Sequence, residues 1–350
     1  MKTIAVGLVG VTGYTGMELA RLLQTHPHFS LVRATSRAEA GKRLDSVYPF
    51  LQGLSLGKLS ITQPDPDDLA AACELVFLAV PHGAAMDTAA VLHAKGLKVV
   101  DLSADFRLRD PAIYQHWYGL SHRAEGLLAD AVYGLPELYA ERIAPARLVA
   151  NPGCYPTSAI LGLYPALTHG LVHADDLVID AKSGTTGAGR KAGVATLFCE
   201  VSDTFRAYNL GKHRHTPEIE QELSVVAGRQ LLVSFNTHLL PINRGILSTI
   251  YGRLTRPLDT AEAVALYRET YAAHPWLRVL DAGRLPETRF VRGTMFCDIG
   301  LVADPRTNRL LIVTAIDNLC RGASGQALAN ANLMSGFPLS AGLDLPPLMP

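Results

Sequence analysis

Cys154 is the side chain of this sequence best placed to act as a nucleophile. It lies in the stretch Asn-Pro-Gly-Cys-Tyr-Pro-Thr, residues 151–157, between a short apolar strand and an apolar helical run. Two prolines around a glycine predict a rigid turn, and the second proline fits the first turn of a helix. A cysteine at a helix N-terminus is stabilised as a thiolate by the dipole and by free N–H groups. We therefore predict that Cys154 is a reactive thiolate.

The other cysteines lack such a turn. Cys73 precedes an apolar strand, and Cys199 and Cys297 lie within apolar segments, so we interpret these three as small buried hydrophobic residues. The five cysteines are far apart and form no Cys-x-x-Cys pair. This pattern predicts neither a disulfide framework nor a metal site, and it indicates a reducing cytoplasm.

Proton-handling groups are concentrated in the segment His-Arg-His-Thr-Pro-Glu, residues 213–218. The proline fits the first position of a helix, with Thr216 as its N-cap. We predict that His215 is the general acid and base and that Glu218 orients it. His213 is the competing candidate, because the sequence gives no distance from either histidine to the cysteine.

A glycine-rich turn follows the first predicted strand. Its spacing is Gly-x-x-Gly-x-x-Gly, which departs from the standard Gly-x-Gly-x-x-Gly of dinucleotide sites. Glycines there let a pyrophosphate approach the unpaired N–H groups of a helix N-terminus. The alternative is a tight strand-to-helix turn without a ligand. We predict a dinucleotide site formed by Gly10, Thr12, Gly13, Tyr14, Thr15 and Gly16.

The end of the second predicted strand indicates which dinucleotide binds. An NAD site usually has an acidic residue about 20 residues after the glycines, to bind the ribose hydroxyls. Here the strand ends in Ser36 and Arg37, and the first acid is Glu39. A hydroxyl and a guanidinium suit the 2′-phosphate of NADP. A solvated surface arginine is the alternative interpretation.

A second glycine-rich loop occupies residues 181–191. Its hydroxyls, backbone amides and cations, among them Ser183 and Arg190, are of a kind that can hold a leaving phosphate. A flexible loop explains the same residues equally well.

The arrangement of predicted elements indicates two domains. Strands at 3–9, 31–35, 75–80, 98–102 and 147–150 alternate with helices at 16–26 and 87–94, which is typical of a doubly wound parallel sheet of the α/β class. Longer strands follow at 177–181, 230–240, 246–254 and 310–315, with helices near 157–168, 216–228 and 260–273, and they predict an α+β domain with a mostly antiparallel sheet. A last helix is predicted at 325–334, before a coil at 345–350. We expect one domain over 1–150 and a second over 151–319.

The overall composition limits the kinds of partner. Lysine plus arginine and aspartate plus glutamate each number 32, so no net charge attracts nucleic acid or an anionic membrane. No run of 18 apolar residues is present, so we expect no membrane span. The expected partner is a small molecule.

Six motifs in this order resemble the N-acetyl-gamma-glutamyl-phosphate reductase family over nearly the whole chain. They are GVTGYTGMEL at 10–19, PHG at 81–83, DLSADFR at 101–107, NPGCYPT at 151–157, GKHRHTPE at 211–218 and DNLCRGASGQ at 317–326. The resemblance implies a Rossmann NADP domain completed by a C-terminal helix at about 320–350. It further implies a catalytic and oligomerisation domain of the aspartate-semialdehyde dehydrogenase type, in a homodimer or homotetramer.

The resemblance also implies roles for individual residues. Cys154 takes the place of the nucleophile and His215 that of the base. Further cofactor contacts are expected at Pro81, Gly184, Asn318 and Gly322. Substrate contacts are expected at Asn151, Ser183, Arg190 and Arg214. At position 321 this chain has arginine where the family is expected to have lysine, so the role of Arg321 stays open.

The reaction implied is NADPH-dependent reduction of N-acetyl-L-glutamyl 5-phosphate to the 5-semialdehyde, through a cysteine thioester, in arginine biosynthesis. A sister family reduces acetyl-aminoadipyl phosphate in lysine biosynthesis, but it differs around the cysteine, where this chain has Pro152, Tyr155 and Pro156. A cysteine hydrolase and a non-catalytic NADP sensor are the alternatives outside the oxidoreductases.

Overall fold

The computed structural model of the protein describes residues 3–349, which fall into two compact units. Unit 1 runs as far as Pro152 and also includes Ala323–Leu345, and unit 2 comprises Gly153–Gly322 and the residues from Pro346 onward. The chain therefore passes into unit 2 directly before Cys154 and leaves it directly after Gly322.

Unit 1 is built on a seven-stranded sheet in which all neighbouring strands are parallel. Its strands are β1 (Ile4–Val9), β2 (Phe29–Thr35), β3 (Ile61–Thr62), β4 (Leu75–Leu78), β5 (Lys98–Asp101), β6 (Ala131–Tyr133) and β7 (Leu148–Ala150). Their order across the sheet is β3-β2-β1-β4-β5-β7-β6. The order reverses between β1 and β4, and ligands of doubly wound sheets bind at the carboxyl ends of the strands at such a reversal. The predicted Rossmann-type sheet is confirmed.

In the described residues up to Pro152, unit 1 contains six α-helices, two of which begin at a capping aspartate. They are α1 (Tyr14–Leu23), α2 (Leu44–Val47), α3 (Pro66–Ala72), α4 (Met86–Ala94), α5 (Pro111–Tyr118) and α6 (Pro136–Ile143). Asp65 caps α3 by accepting from the amides of Asp67 and Asp68, and Asp110 caps α5 in the same way. An aspartate before a proline at the first helical position is a strong start signal. Neither α3 nor α5 was among the predicted helices.

Unit 2 contains a second seven-stranded sheet of mixed direction. Its helices are α7 (Cys154–Thr168), α8 (Phe198–Val201), α9 (Thr216–Ala227) and α10 (Thr260–Thr270), and its strands are β8 (Val172–Gly184), β9 (Arg206–Tyr208), β10 (Ser234–Leu240), β11 (Ile246–Leu254), β12 (Leu277–Val279), β13 (Cys297–Asp304) and β14 (Arg309–Ile316). The order is β12-β13-β14-β11-β8-β10-β9. The pairs β8–β10 and β12–β13 are parallel and the other neighbours are antiparallel. The predicted α+β domain with a mostly antiparallel sheet is confirmed.

The last helix, α11 (Gly325–Met334), has the bounds that the sequence predicted. A π-helical turn at Cys320–Ser324 precedes it. Within unit 1, the amides of Gln326 and Asn330 both donate to the carbonyl of Gly134 and hold α11 on the parallel-sheet unit. Residues 345–349 form neither helix nor strand, as predicted, and residue 350 lies outside the described residues.

Several predicted boundaries were wrong. Helix α1 begins two residues earlier than predicted and ends at Leu23, and α7 begins at Cys154 instead of near residue 157. Strand β8 continues three residues past its predicted end, so Ser183 and Gly184 belong to the strand and not to the loop after it. In the described part of the chain, no helix is both long and apolar enough to cross a membrane, and no group of three or more His, Cys, Asp or Glu side chains is arranged to hold a metal ion.

Candidate active site

Cys154 is the first residue of α7, and Gly153 is its N-cap. Gly153 has an extended backbone (φ −68°, ψ 155°), and no side chain caps the helix from that position. The sulfur-bearing residue is half-buried, whereas the residues that follow it, from Tyr155 to Leu163, are all buried. The nucleophile predicted from the turn therefore lies at the partly accessible N-terminus of an otherwise buried helix.

Ser158 and Gly162 lie on the same face of α7 as Cys154, because they follow it at intervals of four residues. The hydroxyl of Ser158 lies 2.8 Å from that of Ser248 on β11 and 2.7 Å from that of Thr314 on β14. At Gly162 a Cβ would come within 2.8 Å of the side chain of Ile250. Small residues at both positions let α7 lie close to the sheet, and this contact sets the position of Cys154 along the helix axis.

Gly322 lies directly against Cys154. A Cβ at position 322 would lie 2.7 Å from the Cβ of Cys154 and 3.1 Å from its Cα, so only glycine fits here without displacement. The amide of Gly322 donates to the carbonyl of Asp317 at 2.9 Å. The sequence placed Gly322 near the cofactor, and the structure places it against the cysteine.

Asp317 organises the segment that carries Gly322. Its buried carboxylate receives the guanidinium of Arg244 at 2.9 Å and the amide of Gly293 at 2.6 Å. The amides of Leu319 and Cys320 donate to the same carboxylate at 2.8 and 2.7 Å. Charge-assisted bonds to a buried carboxylate are among the stronger ones in proteins, so this turn is firmly held.

The side chain of Glu218 binds the backbone of the residue that precedes Cys154. It is fully buried in the first turn of α9, and its carboxylate accepts from the amide of Gly153 at 2.7 Å. The start of α9 differs from the prediction, because Thr216 is its first residue and His215 occupies the N-cap position. Thr216 was therefore wrongly predicted as the cap.

The two histidines lie together beside Tyr155, the residue that follows the nucleophile. The ring centroids of His213 and His215 are 4.9 Å apart, and both rings lie edge-on to Tyr155, at 5.3 and 6.0 Å. The Nδ1 atom of His213 accepts from the amide of His215 at 3.1 Å. Burial, assisted by the charge of Arg214, lowers the pKa of His213 to about 4. His213 is therefore neutral at physiological pH.

The phenols of Tyr155 and Tyr208 lie next to these histidines. The hydroxyls of Tyr155 and Tyr208 lie 2.8 Å apart, and the ring of Tyr208 is 5.8 Å from that of His213. Burial raises the pKa of Tyr208 to about 12 and raises the pKa of Tyr155 further. Both hydroxyls therefore keep their protons over the physiological range.

The remaining cysteines divide into two groups. Cys73, Cys297 and Cys320 are buried thiols, and burial raises the pKa of Cys73 to about 11. Cys199 is exposed, so its interpretation as a buried hydrophobic residue was wrong. It lies on the short helix α8, where Val201 is buried but Leu197 and Phe198 are exposed.

The glycine-rich turn in unit 1 has the close approaches that dinucleotide loops require. Gly10 has φ +89°, and a Cβ there would lie 2.2 Å from the carbonyl oxygen of Ala79. A Cβ on Gly16 would lie 2.3 Å from the oxygen of Gly10, whereas Gly13 has only one neighbour, at 3.8 Å. Gly13 is the extended N-cap of α1, with no side-chain cap. The first-turn amides of α1, on Tyr14 and the residues after it, are of the kind that binds anions.

The side chains predicted to select the dinucleotide lie at the end of β2. The hydroxyl of Ser36 is 3.2 Å from that of Thr12 in the glycine-rich turn, so the strand end and the turn are adjacent. Arg37 is exposed. The first acid, Glu39, pairs with Lys42 at 2.6 Å.

A third loop at the carboxyl end of the parallel sheet follows β4 and begins at the exposed Pro81. The buried carboxylate of Asp105 accepts from the amides of Gly83 and Ala85 at 2.6 and 3.0 Å, and from the hydroxyl of Tyr114 at 2.8 Å. Asp105 thus holds the loop at two of its backbone amides.

Comparison with known proteins identifies the family. Residues 5–146 match the semialdehyde dehydrogenase NAD binding domain, and residues 154–318 match the semialdehyde dehydrogenase dimerisation domain. The chain is 49% identical to the N-acetyl-gamma-glutamyl-phosphate reductase of Moorella thermoacetica over 99% of its own length and 100% of that protein. It is 50% identical to the protein of the same name from Desulfotalea psychrophila, with the same coverage of each chain.

The chain belongs to the N-acetyl-gamma-glutamyl-phosphate reductase family. Its fold is also that of aspartate semialdehyde dehydrogenases of known structure. The Vibrio cholerae enzyme II, solved with ASA, has a TM-score of 0.72 at 14% identity, covering 96% of this chain and 99% of that one. The Candida albicans enzyme, solved with NADP, has a TM-score of 0.71 at 18% identity, covering 95% and 99%. As a reductase of this family the protein uses a nicotinamide cofactor.

The other residues predicted to bind cofactor in this reductase lie together in unit 2. Asn318 accepts from the amide of Gly245 at 2.7 Å and donates to the hydroxyl of Thr186 at 2.9 Å. The amide of Gly184 donates to the carbonyl of Gly245 at 2.9 Å, and the buried Ser183 precedes it. The side chain of Asn318 and the backbone of Gly184 are therefore connected through Gly245.

The residues predicted to bind substrate are not all accessible. Arg190 and Arg214 are exposed. Asn151 is only 1% exposed, and within unit 1 its Nδ2 donates to the carbonyl of Ala323 at 3.1 Å while its Oδ1 accepts from Asn330 at 3.1 Å. Its amide is thus committed to holding the strand end in place.

Sequence reasoning missed several residues of unit 2 around Cys154: Ser158, Gly162, Tyr208 and Asp317. The i, i+4 spacing of Ser158 and Gly162 on an apolar helix was a usable signal of close helix packing. Asp317 belongs to a motif that carried the family resemblance, but its buried role has no local signature. The phenol of Tyr208 lies on a three-residue strand that periodicity does not detect.

Proposed function

We propose that this protein catalyses the NADPH-dependent reduction of N-acetyl-L-glutamyl 5-phosphate to N-acetyl-L-glutamate 5-semialdehyde, with release of phosphate, in arginine biosynthesis. The observation that carries the proposal is the half-buried Cys154 at the N-terminus of α7, in a chain of this reductase family. The turn, the histidine pair and the glycine-rich loop each supply a part that this chemistry needs.

Cys154 forms the covalent intermediate. Its thiolate attacks the 5-carbonyl carbon, a carbon–sulfur bond forms, and the bond from that carbon to the phosphate oxygen breaks. The N-terminus of α7 stabilises the thiolate before the attack. When bound, NADPH supplies the hydride that brings the resulting thioester to the aldehyde level. The carbon–sulfur bond then breaks, and the thiolate is recovered.

His215 is the group we assign to proton transfer. His213 is held neutral by burial, and its Nδ1 is occupied by the amide of His215. A histidine with a pKa near 4 is a weak base and is not an imidazolium acid at neutral pH, whereas an effective general acid or base has a pKa near the working pH. His213 then serves to fix the backbone at the start of α9. These facts support His215 and assign His213 a positioning role.

The residues of unit 1 fit NADP. The turn from Gly10 to Gly16 presents helix amides to a pyrophosphate, with Thr12, Tyr14 and Thr15 between the glycines. The exposed Arg37 follows β2, and the nearby Glu39 is paired with Lys42 and so is engaged elsewhere than with a ribose. Arg37 and Ser36 would hold the 2′-phosphate, and Pro81 would line the same crevice.

The substrate and the product phosphate need donors and cations. The exposed guanidiniums of Arg190 and Arg214 suit an acyl phosphate and a carboxylate. Ser183 and Gly184 end β8, and Gly245 connects Gly184 to Asn318; these residues would border the substrate and the nicotinamide. Asn151 acts through the backbone, as a positioning residue.

Domain roles and assembly follow from the same assignment. We propose that residues 1–150, with the C-terminal helix, bind NADP and that residues 151–319 carry catalysis and oligomerisation, in a homodimer or homotetramer. The cytoplasm is the compartment we propose, because Cys154 must stay reduced to react and the cysteines are free thiols.

The test is a spectrophotometric assay in the reverse direction. The semialdehyde, phosphate and NADP⁺ are supplied, and NADPH formation is followed, with the aminoadipyl semialdehyde as the competing substrate. The proposal expects faster turnover of the glutamyl compound and no turnover when phosphate is omitted. A preference for the aminoadipyl compound, or equal rates without phosphate, would contradict it.

A further inference from the structure

Glu218 is a buried carboxylate at the point where two helices of unit 2 begin. It is the third residue of α9 and is fully buried, and its Oε1 accepts from the amide of Gly153 at 2.7 Å. Gly153 is the N-cap of α7 and is joined by its own carbonyl to Cys154. The residue that donates to the carboxylate therefore directly precedes Cys154.

Two donors of positive partial charge face the carboxylate of Glu218. The N-terminus of α9 places partial positive charge around Glu218, as acidic residues in a first helical turn generally find. The amide of Gly153 adds a donor, and a donor to a carboxylate stabilises the anion. A negative charge is thus held at the same helix terminus that stabilises the thiolate.

We propose that Glu218 is a positioning residue that holds the turn of Cys154 and moderates the electrostatic effect of α7 on its sulfur. A helix N-terminus alone can lower a thiol pKa far below neutrality. Such a thiolate is a weaker nucleophile, because nucleophilicity falls as the thiol pKa falls. A carboxylate beside the turn has the opposite sign, so it keeps the thiol pKa nearer to the working pH.

Other charged groups on the neighbouring elements leave this effect measurable. On α7 and β9, the phenols of Tyr155 and Tyr208 stay protonated, because burial raises their pKa values. On the segment before α9, burial lowers the pKa of His213 to about 4, so it stays neutral above pH 5. His215 is the second imidazole of this segment, and it is present in the parent and in every variant.

Further charged side chains of unit 2 are the same in the parent and in the variants. Asp317 is paired with Arg244, and the side chains of Arg214 and Arg321 stay cationic. Glu222 is buried one turn further along α9 and accepts from Gln221 at 2.7 Å. All of these side chains are present in the parent and in the Glu218 variants, so a comparison of variants reports the change made at position 218.

The experiment is alkylation of Cys154 by iodoacetamide in the substrate-free protein, followed by mass spectrometry of its peptide between pH 5 and 10. Glu218→Gln keeps an acceptor for the Gly153 amide and removes the charge. We expect the apparent pKa of the Cys154 thiol to fall by about 1 or more in this variant. The limiting rate at high pH should fall about threefold for a pKa change of that size.

Two further variants complete the test. Glu218→Asp keeps the charge and should keep the parent profile, even where the shorter side chain lowers the melting temperature. Glu220→Gln removes a charge from another face of α9, where Glu220 accepts from the amide of Val233 at 3.1 Å, and should also keep the parent profile. An unchanged profile in Glu218→Gln, or an equal change in Glu218→Asp or Glu220→Gln, would overturn the proposal. The measurement needs neither substrate nor NADPH, so it stands apart from the proposed reductase activity.

Discussion

Gly322 lies so close to Cys154 that a Cβ at position 322 would come within 2.7 Å of the Cβ of the cysteine. The contact joins the N-terminus of α7 to the segment that Asp317 organises. Cys154 is therefore held in position by two backbone segments. Catalysis is sensitive to displacements of a reacting group of about 1 Å.

Gly322→Ala should therefore lower kcat about 10- to 100-fold, since the added methyl group must push the Cys154 turn or the 317–322 segment aside. Gly126→Ala is the matched control, because nothing lies within 4 Å of a Cβ at that position. Steady-state kinetics on both variants, with circular dichroism to verify folding, measures the effect. Normal kcat in Gly322→Ala would show that the close contact does not position the sulfur.

Arg37→Ala should raise the KM for NADPH while leaving the KM for NADH unchanged. Loss of a charge-assisted bond to a 2′-phosphate is expected to cost about 1.5–3 kcal/mol, or roughly 10- to 100-fold in affinity. Arg306→Ala, in a strongly exposed turn of unit 2, serves as control for loss of one positive charge. Equal effects on both cofactors would place the 2′-phosphate elsewhere.

Ser158→Ala should destabilise the protein by about 1–3 kcal/mol, because the buried hydroxyls of Ser248 and Thr314 lose a shared partner. Thermal unfolding monitored by circular dichroism gives the change, with the exposed Ser46→Ala as control. A melting temperature equal to that of the parent would indicate that the two remaining hydroxyls satisfy each other.

His213 should make stability depend on pH in one direction. Its pKa is about 4 in the folded chain, below the value of about 6.5 for an unperturbed histidine. The unfolded state therefore binds more protons between these values, and the free energy of unfolding should fall as the pH falls from about 6.5 to 4. His213→Asn should remove this contribution. The check is urea unfolding of the parent and the variant at several pH values in this range. If the difference between their free energies of unfolding did not change with pH, folding would not lower the pKa of His213.

The sequence predicted those parts of the fold that have strong local signals. Helix α11 matches its prediction, and the strands of continuous apolar residues near the start of the chain were found. Strand β13 was missed because its glycine and two aspartates obscure the pattern. Strands β6, β9 and β12 have three residues each, too few for periodicity to register.

The sequence did not reveal which residues of the site are in contact although they are far apart along the chain. The turn around Cys154 has a local signature of proline and glycine, so the location of Cys154 at a helix N-terminus could be predicted. The bond from the Gly153 amide to Glu218 joins residues 65 positions apart, and no local pattern encodes it. The contact of Gly322 with Cys154 is of the same kind, since it arises only when α7 lies beside the 317–322 segment.

Trapping of the acyl-enzyme tests the central claim most directly. The protein is mixed with N-acetylglutamyl phosphate in the absence of NADPH, and phosphate release and the mass of the Cys154 peptide are measured together. The account predicts one phosphate per site in a burst that then stops, with the acyl group on Cys154, and no burst in Cys154→Ser. Continuous phosphate release without NADPH, or a burst that survives in Cys154→Ser, would contradict it.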